Sequence, residues 1–184
     1  MADPLRLVLL GGGHAMLPSL VRARAWTDAG VEVTLIDPQR WLYYSGMVPE
    51  YLGGVYALDD IRIDLERLAH RSGVEFVREQ AIALDPEART VTTAEGEYPF
   101  DELAIDVGGV NPVVPDEAVA TKPISRIRAL APHLERVLGG PDETLSLGIV
   151  GGGAAGVEVS LNVTGRFQAA GRLDDLDLTI IEQD

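Results

Sequence analysis

The sequence contains no cysteine. Structural disulfides, thiolate metal sites and a redox-active cysteine pair are therefore excluded within these 184 residues. Lysine is almost absent: Lys122 stands alone, and arginine supplies the remaining positive charge. With 29 acidic against 15 basic residues, the formal charge is −14. Such a chain repels nucleic acid and anionic lipid at long range. No apolar run approaches the roughly 20 residues that span a bilayer. The N-terminal MADPLR lacks the basic-then-apolar order of a secretory leader. A cytoplasmic protein with no transmembrane segment and no nucleic-acid partner is expected. His14, His70 and His133 are too scattered for metal-ligand spacing, so no metal is expected.

Glycine, by contrast, is clustered. Leu5 to Leu10 is a short apolar run of the kind that is buried on both faces of a sheet. Gly11, Gly12 and Gly13 follow, and HAMLPSLVRARAWTDAG has apolar residues at helical spacing, with Pro18 in its first turn and Gly30 at its end. VEVTLID, residues 31 to 37, reads as a second strand ending in an acid. This order makes one βαβ unit. TLSLGIV, GGGAAGVEVSLNVTGRFQAAGR and LDLTIIEQD repeat it from residue 144 onward, with Glu182 as the closing acid.

Between these copies, residues 38 to 60 read as a structured loop with a short helix. IRIDLERLAHRSG, residues 61 to 73, is expected to be an amphipathic helix stopped by Gly73. VEFVREQAIALDPEARTVTTAEGEYPFDELAID looks like a run of strands, with a hairpin turn at Glu95 and Gly96. A proline-rich connection leads to ISRIRALAPHLERVLGG, a helix that Pro132 is expected to interrupt.

A dinucleotide pyrophosphate binds where a helix begins, because free backbone N–H groups and the helix dipole both favour an anion there. Glycines let the backbone turn and approach the phosphate, and the acid ending the next strand accepts from a ribose hydroxyl pair. Gly151, Gly153 and Gly156 have G-x-G-x-x-G spacing. Glu182 lies a little farther on than the usual roughly 20 residues, and QAAGRLDDLD accounts for the excess. An acid there with no adjacent arginine favours NADH over NADPH. In the first loop Gly11 and Gly13 fit, but Met16 holds the third position, which implies a slightly displaced helix, and Asp37 is the ribose acid. His14 faces either the nucleotide or its own helix start. Tyr43, Tyr44 and Ser45 either line a flat ring or simply pack their loop.

These two loops, with GGGAAGVE in the second, resemble the two-dinucleotide-binding-domain flavoproteins of the pyridine nucleotide–disulfide oxidoreductase superfamily. YPFDELAIDVGG, residues 98 to 109, is similar to that family's second FAD motif, although Val107 stands where the family has threonine. GGGHA with YYSGMVPEYLGG looks most like the branch of type II NADH dehydrogenases and of the flavoprotein module fused to selenide water dikinase.

The resemblance implies an α/β chain. A Rossmann-like FAD-binding domain, with a parallel sheet and a small antiparallel meander, would occupy residues 1–115. A connection with a helix would fill 116–144, and 145–184 would begin a second Rossmann-like domain for NAD(P). It places Gly11, Gly12, Gly13, His14, Ala15, Asp37, Pro38, Ala81, Val107, Gly108 and Gly109 at FAD. Tyr44, Ser45 and Gly46 would lie towards the isoalloxazine. It places Gly151, Gly153, Gly156 and Glu182 at NADH, and makes Glu158 the catalytic acid near the nicotinamide.

The expected activity passes hydride from NADH to flavin, then on to a quinone-like or other small acceptor. The absence of cysteine disfavours disulfide reduction. The family's later strands are not in this sequence, so a truncated form is expected; where the whole protein docks on a membrane quinone, it would do so peripherally. A homodimer is compatible with the resemblance. The alternative from another class is a non-catalytic FAD- or NADH-binding module.

Overall fold

The computed structural model describes residues 3–111, 114–115, 118–141 and 143–182. The chain divides into two compact units. One comprises residues 1–42 and 63–109, the other 43–62 and 110–184.

The first unit is built on β1 (Arg6–Leu10), β2 (Glu32–Ile36), β5 (Glu75–Val77) and β9 (Glu102–Ile105), a four-stranded parallel sheet in the order β5-β2-β1-β9. Side chains alternate across its strands, so each face receives its own cluster. Leu9, Val33 and Leu35 pack with Leu20 and Ala23 of α1 (Leu17–Asp28) and with Leu65 and Ala69 of α3 (Leu65–Arg71). Val8, Leu10, Ile36 and Val77 pack on the other face with Val91 and Phe100. Those last two belong to an antiparallel meander of β6 (Ala83–Asp85), β7 (Thr90–Thr92) and β8 (Glu97–Pro99), or to its exit. The expected parallel sheet, meander and hairpin are all present. Arg6 and Asp101 close the unit with paired hydrogen bonds at 3.1 Å, and they hold the Asp101 carboxyl down at about 2.

The stretch expected to be one helix from 61 to 73 is not. Residues Arg62–Asp64 form β4, and α3 starts only at Leu65. Asp64 sets the boundary. Its backbone is extended, its carboxylate accepts from Arg67 N–H at 3.0 Å as an N-cap, and Arg40 pairs with it at 2.7 Å. The Arg40 guanidinium also pulls the Asp64 pKa below the usual carboxylate range.

In the second unit, α2 (Val48–Leu52), α4 (Leu130–Gly139) and α5 (Ala154–Ala169) accompany a parallel pair, β10 (Leu145–Val150) and β11 (Leu176–Ile181). β3 (Trp41–Tyr43) lies where the chain passes between units. Val159, Val163 and Phe167 recur every fourth residue and form the buried stripe of α5. Arg166 of α5 donates to the Leu52 carbonyl at 3.0 Å, tying α2 down. Arg172 donates to the Val137 carbonyl at 2.6 Å and the Glu143 carbonyl at 3.0 Å, which fastens the end of α4 to the turn before β11.

Pro132 does not interrupt a helix. Residues Ile124–Ala129 form 3-10 turns, and α4 begins at Leu130, so the proline sits in a first turn whose N–H groups have no intrahelical acceptor. The proline-rich connection before it lies partly outside the described residues.

Candidate functional site

The first glycine loop joins β1 to a 3-10 turn, His14–Met16, that runs into α1. Gly11 has φ +86°, and a Cβ on it would lie 2.2 Å from the Asp106 carbonyl oxygen, so glycine is required there. Its N–H donates to the Ile36 carbonyl at 2.8 Å. The Gly12 N–H donates to Asp37 Oδ2 at 2.7 Å, and the Gln39 N–H donates to Asp37 Oδ1, also at 2.7 Å. Pro38 holds the bend between them.

The ribose acid expected from sequence is thus seated on the loop it would serve. Met16 is buried in the helix-side core, where a third glycine would stand. The chain accommodates it through the 3-10 turn, closed by Met16 N–H to the Gly13 carbonyl at 3.1 Å. His14 and Ala15 are exposed in that turn, ahead of the helix.

The second loop has the same wiring. Gly151, φ +107°, donates to the Ile181 carbonyl at 2.8 Å, and Gly152 N–H donates to the Glu182 carboxylate. Gly153 is the N-cap of α5, and the first helical closure is Val157 N–H to the Gly153 carbonyl at 3.0 Å. Residues 154–156 therefore turn their N–H groups forward of the helix, and a Cβ at Gly151 or Gly153 would meet open space. Gly156 differs. A Cβ there would lie 2.0 Å from the Gly151 carbonyl oxygen, so the third glycine brings helix against strand. Both loops fit a dinucleotide: each puts a glycine turn at a helix start with a carboxylate at the strand end, and the second adds forward-facing N–H groups.

Within the first unit, β9 pairs with β1 in register, Leu10 opposite Ile105, so Val107, Gly108 and Gly109 leave the sheet beside the first glycine loop. Gly108 has φ +72° and open space around its Cβ position. Ala81, after β5, packs against the meander-side core. The structure thus brings Gly11–Gly13, Asp37 and residues 107–109 together at the carboxyl ends of adjacent parallel strands, where open α/β sheets bind ligands.

Sequence reasoning missed Asp106. Its backbone N–H donates to the Leu10 carbonyl at 2.8 Å and its carbonyl accepts from Gly13 N–H at 3.2 Å. Its carboxylate accepts from Met16 N–H at 3.1 Å. Only its place two residues before Gly108 marked it in the sequence.

In the second unit, Tyr44 is exposed, and Ser45 and Gly46 form a 3-10 turn after it. The neighbouring Tyr43 is buried, and its hydroxyl accepts from Arg128 at 2.7 Å. The Tyr51 phenol is pushed up by burial. Glu158 is exposed on α5, and its carbonyl accepts from the Asn162 side chain at 2.9 Å. Among the described residues no cluster of His, Asp and Glu could hold a metal, and no helix is long and apolar enough to cross a membrane.

A parallel α/β chain with two glycine loops, each closed by the acid of its following strand, is a two-dinucleotide protein of the Rossmann kind. The chain belongs to the pyridine nucleotide-disulphide oxidoreductase family, which its sequence matches over residues 5–183. A type II NADH:quinone oxidoreductase of Staphylococcus aureus is 26% identical over 178 residues, 90% of this chain and 44% of that protein. The sulfide:quinone oxidoreductase of Aquifex aeolicus superposes with a TM-score of 0.71 at 22% identity, covering 97% of this chain and 43% of that one. A water-forming NADH oxidase from Lactobacillus brevis, bound to NADH, superposes with a TM-score of 0.73 at 19% identity, covering 97% and 39%. The structural likenesses establish the fold. The chain spans less than half the length of each of these three proteins.

Proposed function

We propose that this chain is the dinucleotide-binding part of an FAD-dependent NADH oxidoreductase that passes reducing equivalents to a small acceptor. The observation that carries this is the repeated wiring of the two loops, with Asp37 on Gly12 and Glu182 on Gly152. One such loop serves a single-nucleotide enzyme, and two serve a donor and an acceptor dinucleotide.

Residues 1–115 take FAD, 116–144 form the connection, and 145–184 begin the NADH domain. The FAD pyrophosphate lies along Gly11, Gly12, Gly13, His14 and Ala15. Asp37, next to Pro38, holds the adenosine ribose, Ala81 offers backbone atoms to the adenine, and Val107, Gly108 and Gly109 close the other side. Tyr44 and Ser45 lie towards the flavin ring. Gly151, Gly153 and Gly156 seat NADH, and the negative charge of Glu182 selects it over NADPH, whose 2′-phosphate would meet a carboxylate. Glu158 stands at the nicotinamide end.

When bound, the flavin supplies the two-electron chemistry, and the protein supplies position and water exclusion. The quinone named for the Staphylococcus aureus relative supports a quinone-like acceptor. A cytoplasmic protein, peripheral to the membrane where the acceptor is a membrane quinone, and a homodimeric state complete the proposal.

The test is anaerobic addition of NADH to FAD-loaded protein, both as this chain and in the full-length parent. Bleaching of the flavin band supports an oxidoreductase. A full-length protein that holds FAD and is never reduced by NADH is a nucleotide-binding module instead.

A further inference from the structure

The two loops share their wiring. In the second, a Cβ on Gly153 meets open space among the described residues. In the first, the corresponding space is filled: a Cβ on Gly13 would lie 2.3 Å from the Asp106 carboxyl carbon and from Oδ2, and 2.4 Å from Oδ1. That carboxylate accepts the Met16 N–H at the start of the helical segment, the position at which a helix offers positive potential to an anion. The loop itself, GGGHAM, contains no lysine or arginine to offset it. The first loop therefore already contains an anion of its own, delivered by the strand beside it and fixed there by Gly13 N–H to Asp106 O and Asp106 N–H to Leu10 O.

We infer that Asp106 is an affinity-determining residue of the first loop, whose carboxylate competes with the ligand's diphosphate for the start of the helix and weakens its binding there. This rests on the assignment of FAD to the first loop. Diphosphate brings further negative charge to the same turn, in a part-buried setting where water screens little. The Met16 N–H also closes the turn on the Gly13 carbonyl, so the ligand meets the carboxylate's field rather than a vacated donor.

Two substitutions separate charge from capping. Asp106→Asn keeps an oxygen able to accept the Met16 N–H and removes the charge. Asp106→Ala removes both. The measurement is FAD and ADP affinity of the full chain, by fluorescence or calorimetry, with circular dichroism confirming the fold of each variant. Competition predicts that both variants bind FAD and ADP more tightly than the wild type, by roughly tenfold. A purely structural cap predicts the opposite pattern, with Asn unchanged and Ala weaker, and that result overturns the inference while leaving FAD at the first loop. If neither wild type nor variants bind FAD or ADP, the inference and the assignment fall together.

Discussion

Asp37 accepts the Gly12 N–H at 2.7 Å, fastening the end of β2 to the glycine loop that follows β1. Glu182 holds the same relation to Gly152 at the end of β11. In each case the residue just before the acid, Ile36 or Ile181, accepts from the first glycine of the loop. The acid thus orders the turn in each loop, and in the proposed complexes its outward oxygen lone pairs would meet a ribose.

Under the proposed function the two acids act on separate ligands. Asp37→Asn is expected to weaken FAD binding by about 1.5–3 kcal/mol, the worth of hydrogen bonds to a charged group, and to leave NADH binding unchanged. Glu182→Gln is expected to do the reverse and to narrow the preference for NADH over NADPH. Titration of each variant with each nucleotide checks this; loss of both ligands in one variant would mean that the loops are not independent.

The glycines of the second loop divide by what surrounds them. Gly156→Ala forces a Cβ to 2.0 Å from a backbone oxygen, and is expected to cost at least about 1–3 kcal/mol of stability, as overpacking does. Gly153→Ala meets open space at an ordinary φ of −68°. It should cost no more than about 1 kcal/mol of stability, the N-cap preference of glycine over alanine, yet weaken NADH if the second loop seats it as proposed. Melting curves and NADH titrations of the pair distinguish a packing glycine from a binding one.

The pairing of Arg6 with Asp101 gives a pH dependence with a definite sign. The folded-state pKa of Asp101 is lowered to about 2 by the Arg6 side-chain and backbone donors, against about 4 in an unfolded chain. The ionised carboxylate therefore contributes stability that is complete above pH ~4 and lost as pH falls towards ~2. Asp101→Asn should flatten this part of the acid-unfolding curve and leave the neutral region little changed in slope. An unaltered slope between those limits would remove Asp101 from the account.

The two glycine loops were legible because their constraint is local. Gly11 and Gly151 need positive φ, and the acids Asp37 and Glu182 must end the strands that pair with β1 and β10. The meander was legible from its alternation and from the turn at Glu95 and Gly96. The start of α3 was not, because IRIDLERL carries both a two-residue and a helical apolar period. Asp64 decides between them through partners at Arg40 and Arg67. Asp106 was hidden for a different reason. Its carboxylate reaches a loop 90 residues earlier in the chain, and no local pattern encodes that reach. Pro132 was misread because a 3-10 segment can precede a helix without a break in apolar spacing.

Under the proposed function one chain holds two different dinucleotides at two loops. Isothermal titration with FAD, then with NADH on the FAD-saturated protein, tests it most directly. The account predicts one FAD and one NADH per chain, with Asp37→Asn weakening only the first event and Glu182→Gln only the second. A single nucleotide per chain, with FAD and NADH displacing each other from the same site, would contradict it.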